Sequence, residues 1–380
     1  MKKTLIIALS LVLFALPVFA SGNKEEVASP ALQAEEKVMT HDELVAAAKE
    51  EGKVVVYATT SRIANAAEAF EAKYGIKTET SNLKDFELIE KISKEATSGV
   101  TGADFVIAQD GGRVQGELLN LGYLYSYVPE SLKNIIPARY QDPLVFSIIN
   151  KLFIFNNEAS TQEPFENIWE LTTEKWRGKF QFKNPYQESV NANFLTMVTK
   201  PEISDQIAKA YKDYFKKDIE LTTDNAGYEW IKALYENKLI VTTSDTKTAE
   251  SIGIKGQNKS ENAGLFVFSK LRYISSKNLA LQPLLEVQPF SGFYYPLYAL
   301  MVSNAKHPAA AKLFIEFLLT DEGFKPWSSN MGTYSPNPNV QIQDGDYPVS
   351  FWEPILIAED PVWCFENRAQ VEEFLIEYLY

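Results

Sequence analysis

The stretch Leu44–Arg62, LVAAAKEEGKVVVYATTSR, decides the fold. It reads as helix, stop, strand and polar loop. Thr40, with Glu43 three residues later, forms a capping box at the helix start. Gly52 stands where a helix ends in a left-handed residue. Lys53 to Ala58 is then a short β-branched run with no polar break after Lys53, the pattern of a strand buried on both faces. Thr59, Thr60, Ser61 and Arg62 follow as a polar loop. From Ile63 to Tyr74 the apolar residues recur at helical spacing, Gly75 stops them, and Ile76 to Thr80 alternates like a second strand. The loop therefore lies at the carboxyl end of a strand and the amino end of a helix. In open α/β sheets small ligands bind there, and the N–H groups of the helix start favour anions. Helix capping explains Ser and Thr at this place equally well.

The same architecture recurs along the chain. Gly102 to Ala108 is a short buried strand ending in Gln109-Asp110-Gly111-Gly112-Arg113 before a helix from Val114 to Leu121. Asp110 and Arg113 join the polar rim there, and Arg113 suits an anion or plain solvation on the first helical turn. Leu144 to Asn156 is a long β-like run, suited to crossing between domains. Lys179 to Phe182 opens a second set of strands, and its exit loop brings Glu188, Ser189 and Asn191 to a helix start. Leu239 to Thr242 exits into Thr243–Thr248, which holds Ser244 and Asp245. Gly264–Phe268 and Leu271–Ile274 read as further strands. Leu297 to Val302 is the return strand, preceded by Tyr294 and Tyr295, and Pro308 to Leu319 is a helix with Pro at its first position. Tyr347 to Tyr380 is aromatic-rich, with a helical signal from Phe374 to Tyr378.

The amino terminus reads as an export segment. Lys2 and Lys3 precede an apolar run from Leu5 to Phe19, and Val18-Phe19-Ala20 is a small-x-small cleavage site. Ser10 and Pro17 interrupt the run, which is short for a membrane span. Ser21 to Val38 is polar and aperiodic, a flexible leader. Loss of Lys2 and Lys3 takes the net charge from −13 to −15, which disfavours nucleic acid and anionic membranes as partners. Cys364 is the single cysteine, so no intramolecular disulfide and no Cys-based metal site is expected. About 360 exported residues suggest two domains. Catalysis is disfavoured: His41 and His307 are the two histidines, neither lies near a nucleophile motif, and no phosphate-loop or dinucleotide fingerprint occurs. No cofactor is expected.

LVAAAKEEGKVVVYATTS with AFEAKYGIK (69–77), WELTTEKWRGKFQFKNP (169–185), NAKHPAAAKLFIEFLLTDEG (304–323) and YSPNPNV (334–340) resembles the bacterial extracytoplasmic solute-binding proteins of ABC importers. The cluster it resembles holds ferric-iron, hexose-phosphate, thiamine and aminoethylphosphonate binders. The resemblance implies an α/β fold of two lobes, a type II periplasmic binding protein with two crossing strands and the ligand cleft between lobes. Hinge closure would clamp the ligand. It implies the division 1–20 signal peptide, 21–39 leader, 40–147 plus 295–340 first lobe, 148–294 second lobe and 341–380 packing tail. A permease and its ATPase are the implied partners, in the periplasm. The expected ligand contacts are Thr59, Thr60, Ser61, Arg62, Gln109, Asp110, Arg113, Ser189, Asn191, Ser244, Asp245 and Tyr294.

The ferric binders of this cluster carry two adjacent tyrosines in the loop corresponding to Thr243–Thr248, where this chain has Thr-Ser-Asp-Thr. Tyr294 and Tyr295 alternate faces on a strand, so both cannot meet one metal. No metal is therefore assigned. The resemblance to the hexose-phosphate binders implies hydroxyls and helix starts for the phosphate and, for sugar hydroxyls, an acidic residue at the end of the strand that leads into Thr243–Thr248, chemistry that Thr60, Ser61, Ser189, Asn191 and Asp245 suit. The leading expectation is a phosphorylated or anionic organic solute. The alternatives are ferric iron, or a polyamine- or thiamine-like cation favoured by Asp110, Glu188 and Asp245.

Overall fold

The computed structural model describes residues 39–159, 162–256 and 261–379. The expected signal segment and nearly all of the leader, residues 1–38, lie outside the described residues. Helix His41–Glu51 starts on Thr40, whose Oγ1 accepts from the Glu43 N–H at 3.3 Å while Glu43 Oε2 accepts from the Thr40 N–H at 2.9 Å. It ends at Gly52, φ 65°. Strand Lys53–Ala58 follows, with Val54, Val56 and Ala58 buried on one face and Tyr57 on the other. That is the two-sided burial expected of a parallel strand. Helix Ile63–Tyr74 and strand Lys77–Asn82 complete the unit.

The strands form one hydrogen-bonded sheet. On one side, Lys77–Asn82, Lys53–Ala58 and Phe105–Ala108 run parallel, and the long strand Gly292–Val302 runs antiparallel beside Phe105–Ala108. On the other side, Ile240–Thr242, Phe180–Lys183 and Ala263–Val267 run parallel, and the long strand Val145–Phe155 runs antiparallel beside Ala263–Val267. The two long strands pair with each other, from Gly292 opposite Leu152 to Tyr298 opposite Val145, and so join two α/β lobes. Helix Pro308–Leu318 covers the first group, where Phe70 and Phe314 stack at 4.4 Å. Burying a side chain of this size is worth about 1.5–3 kcal/mol.

Alternation along the long strands sets which side chains reach the strand-exit side. Tyr295 and Phe293 share a face with Lys151, and Tyr294 takes the opposite face beside Tyr140. Two local expectations fail. Leu271–Ile274 is not a strand: Phe268–Arg272 is a 3-10 turn running into helix Tyr273–Ser276. The terminal helix spans Pro361–Leu379, far longer than the signal over 374–378. Asp360 Oδ1 caps its start, accepting from the N–H groups of Val362 and Trp363 at 3.1 Å.

That terminal helix touches both halves of the molecule. It packs on the widened π-turn Val114–Leu119, where a Cβ on Gly116 would lie 2.2 Å from the Phe365 ring, so only glycine permits the approach. On its other side Trp363 Nε1 donates to the Thr196 carbonyl at 3.1 Å, and Phe374 meets Tyr228 edge-on at 4.9 Å.

Candidate functional site

Three of the four polar strand-exit loops meet at a cleft of about 510 Å³, lined among others by Thr59, Asp85, Gln109, Lys183, Gln187 and Glu188; the fourth, Thr243–Thr248, connects to it through Asp245, which shares Lys151 with Glu188. A larger groove of about 710 Å³, around Glu166, Asp213 and Glu286, touches none of these loops. Contacts cross the cleft directly. Asp85, at the start of helix Asp85–Ser98, accepts from Ser189 Oγ at 2.5 Å and from Gln109 Nε2 at 2.8 and 2.9 Å. Burial raises the Asp85 carboxyl above its usual range despite these donors.

Below this lies a buried ionic cluster. Lys151, wholly buried on its long strand, reaches Asn191 Oδ1 at 2.7 Å, Glu188 Oε2 at 3.1 Å and Asp245 Oδ2 at 3.4 Å. Lys183 meets the same Glu188 oxygen at 2.6 Å. Two cations thus face two carboxylates, which is what makes burial tolerable. Burial pushes the Glu188 carboxyl up, but Lys151 and Lys183 outweigh it and hold the group below its usual value. For Asp245 burial wins and its carboxyl is raised, with Lys151 opposing and Glu188 adding to the rise. Its Oδ1 is buried without a hydrogen-bond partner among the described residues.

The rim is different: its cations form no ion pair among the described residues, and Lys270 feels the Asp245 charge only at longer range. Lys270 Nζ donates to Thr246 Oγ1 at 3.0 Å. Arg272 lies over the Tyr273 ring at 4.8 Å and donates to the Ser269 carbonyl at 2.6 Å. Tyr273 Oη and Thr246 Oγ1 are 3.3 Å apart. Arg62, half-buried where its loop enters helix Ile63–Tyr74, has no side-chain hydrogen bond or ion pair among the described residues. Burial and the like charge of Arg272 lower the Arg62 guanidinium, and the same two causes lower the Lys270 ammonium. Burial raises the Tyr273 phenol, but Thr246 and the cations Lys270, Arg272 and Lys277 outweigh it and leave it below its usual value.

The expected contact residues divide three ways. Thr59 and Gln109 line the cleft, and Ser189 and Asp245 lie at its strand-exit helix starts. Thr60 accepts from the Arg62 N–H at 3.4 Å, and Ser61 is exposed beside it. Ser244 caps helix Asp245–Gly253, accepting from the Lys247 N–H at 3.1 Å, so Asp245 is a helical residue rather than a loop one. Four others are committed elsewhere. Asn191 is wholly buried, bonded to Lys151 and to the Lys183 carbonyl. Asp110 is held by Arg368 at 2.8 and 2.9 Å. Arg113 pairs with Glu117 at 2.7 Å. Tyr294 is not in the cleft: strand alternation turns it away and sends Tyr295 to that face instead. The three carboxylates that favoured a cationic ligand, Asp110, Glu188 and Asp245, are each met by a cation of the chain itself.

Sequence reading missed Lys151, Asp85, Lys270 and Arg272, and of the adjacent pair Tyr294 and Tyr295 it put Tyr294 in the contact set. A signal existed for Lys151, a single lysine within the apolar run VFSIINKLFIF, since lysine is almost never fully buried unless paired.

The profile of the bacterial extracellular solute-binding proteins matches residues 65–349. Among solved structures, the iron-bound HitA of Pseudomonas aeruginosa is similar at TM-score 0.68 and 15% identity, over 86% of this chain and 99% of that one. The ferric binding protein of Campylobacter jejuni is similar at TM-score 0.63 and 19% identity, over 86% and 99%. AfuA of Actinobacillus pleuropneumoniae, with fructose-6-phosphate bound, is similar at TM-score 0.63 and 17% identity, over 86% and 98%. No curated protein matches the chain. These neighbours bind solutes rather than turn them over, and no helix among the described residues is long and apolar enough to cross a membrane. With a match across most of its length, a two-lobed α/β fold and a polar cleft at its strand ends, the chain belongs to the bacterial extracellular solute-binding proteins.

Proposed function

We propose that the protein captures a small phosphorylated or otherwise anionic organic solute in the periplasm, after cleavage behind Ala20, and delivers it to a permease and its ATPase. The observation that carries this is a rim whose cations Arg62, Lys270 and Arg272 form no ion pair among the described residues. Arg62 on one lobe has no partner among the described residues and feels the like charge of Arg272 on the other. A guanidinium is the side chain best suited to phosphate or carboxylate oxygens. Lys270, Thr246, Thr60 and Ser61 add donors beside it. Asp245 can only accept while ionised, so it suits the hydroxyls of an organic body rather than the phosphate. A structural neighbour holds fructose-6-phosphate, which agrees with this chemistry.

A second reading, a ferric ion, is favoured by Tyr273, whose phenol lies below its usual value, and by neighbours described as ferric binders. The cations around Tyr273 repel a bare Fe³⁺, so an anion would have to enter with it. The discriminating experiment is a melting and calorimetric panel of glucose 6-phosphate, fructose 6-phosphate, inorganic phosphate and ferric citrate. A ligand at 100 times its dissociation constant should stabilise the protein by about 2.7 kcal/mol. Asp245→Ala should weaken a sugar phosphate by about 1–3 kcal/mol and inorganic phosphate little. Binding of ferric citrate alone, with a phenolate-to-iron absorption band, would overturn the anion reading.

A further inference from the structure

The surroundings of Lys151 are those of a ligand site. Its ammonium sits among Asn191 Oδ1 at 2.7 Å, Glu188 Oε2 at 3.1 Å and Asp245 Oδ2 at 3.4 Å, with the Phe293 ring centre 5.9 Å away. An amide oxygen, two carboxylates and an aromatic ring are together what a protein uses to recognise a primary ammonium. The acidic pair alone would say little. Two further observations point to an occupant. Asp245, 8% exposed, has its Oδ1 buried and unpartnered among the described residues, so the pocket has acceptor capacity its present occupant does not use. Asn191 is locked by its own Nδ2, which donates to the Lys183 carbonyl at 2.9 Å, so Oδ1 is aimed at the ammonium by the backbone rather than by Lys151.

We infer that this pocket is a primary-ammonium site filled from within by Lys151, and that Lys151 is the residue that excludes cationic solutes from the cleft. The side chain arrives from the crossing strand Val145–Phe155, whereas its acceptors come from helices Ser189–Val198 and Asp245–Gly253 and the residue before the first of them. Asn191 is also held by the Lys183 carbonyl and Glu188 by the Lys183 ammonium, so both stay placed when Lys151 is removed, and Asp245 stays on the first turn of its own helix. Emptied of Lys151, the pocket would keep two carboxylates and gain a volume of three methylenes and an ammonium. That is the shape of n-propylammonium once alanine supplies Cβ. The inference does not need a phosphorylated ligand; it concerns the floor of the cleft and not its rim.

Chemical rescue tests it. Lys151→Ala and Lys151→Met are melted with n-propylammonium chloride, tetramethylammonium chloride, sodium chloride at equal ionic strength and 1-propanol. The expected result is a saturable upward shift for Lys151→Ala with n-propylammonium only. Wild type and Lys151→Met, in which the pocket is filled, should respond no more than to sodium chloride. Adding Asp245→Asn to Lys151→Ala should weaken the rescue. If Lys151→Ala does not fold unaided, the same additives are compared by refolding yield from urea. An n-propylammonium effect equal to that of sodium chloride, or equal in Lys151→Met, overturns the inference, as does failure of n-propylammonium to restore refolding.

Discussion

Replacing Glu359 by glutamine should remove a large part of the pH dependence of stability. Glu359 precedes the terminal helix Pro361–Leu379. It is half-buried as a residue, yet its Oε2 is shielded from solvent, while Oε1 accepts from the Gly111 N–H at 3.1 Å. Burial, with the nearby Asp110 charge, pushes the carboxyl from 4.5 to about 8; Asn193, Gly111 and Arg368 oppose the rise. The folded protein therefore keeps a proton that the unfolded chain releases near pH 4.5. That contribution is complete below about pH 4.5 and is lost as pH rises through about 8. At about 1.4 kcal/mol for each pKa unit the whole span approaches about 5 kcal/mol, and partial hydration should leave about 2–4 kcal/mol. Glu359→Gln keeps the size and the acceptor oxygen without a titrating group. Urea unfolding at intervals from pH 4.5 to 9 should show the wild type losing that amount relative to the variant. Parallel curves for the two proteins would refute the argument.

Arg62→Ala should weaken binding of an anionic solute by about 1.5–3 kcal/mol while leaving the melting temperature of the empty protein unchanged, since its guanidinium bonds to nothing among the described residues; calorimetry and melting of one sample check both halves. Arg368→Ala strips the guanidinium, whose Nη1 donates to both oxygens, from Asp110, a buried carboxylate, and should cost about 3–5 kcal/mol in urea unfolding, with much of it recovered in Arg368→Ala/Asp110→Asn. Tyr295→Phe should lower solute affinity and Tyr294→Phe should not, because the two rings take opposite faces of one strand; equal effects in a binding titration would contradict that geometry.

The strand–helix order was legible because it rests on short-range periodicity. Val54 to Ala58 and Ile63 to Phe70 bury by patterns visible within a dozen residues, and the caps at Thr40 and Gly52 are local chemistry. Charge partnerships were not legible. Lys151 meets Glu188, Asn191 and Asp245, which lie 37 to 94 positions further on, so no window of sequence holds them together. The terminal helix was hard to see for another reason. It packs against Gly116 on one side and Thr196 and Tyr228 on another, so its apolar residues spread around the helix instead of forming one stripe. The segment after Val267 misled through composition. Leu271, Tyr273 and Ile274 have strand-like side chains, but the chain leaves the sheet there and turns Arg272 over the Tyr273 ring.

The two charge populations of the cleft have different consequences for closure on the proposed reading. Lys151 and Lys183 are neutralised by Glu188 and Asp245, so the floor is electrically satisfied before any solute arrives. Arg62, Lys270 and Arg272 make no ion pair among the described residues, so the rim carries net positive charge. Arg62 follows a strand of one lobe and Arg272 a strand of the other, and like charges on opposite walls oppose their approach. An anion between them converts that repulsion into two attractions. It therefore binds the closed arrangement better than the open one, and a ligand can shift a conformational equilibrium only by such a difference in affinity. A neutral solute of the same shape would lack the difference and would leave the lobes apart.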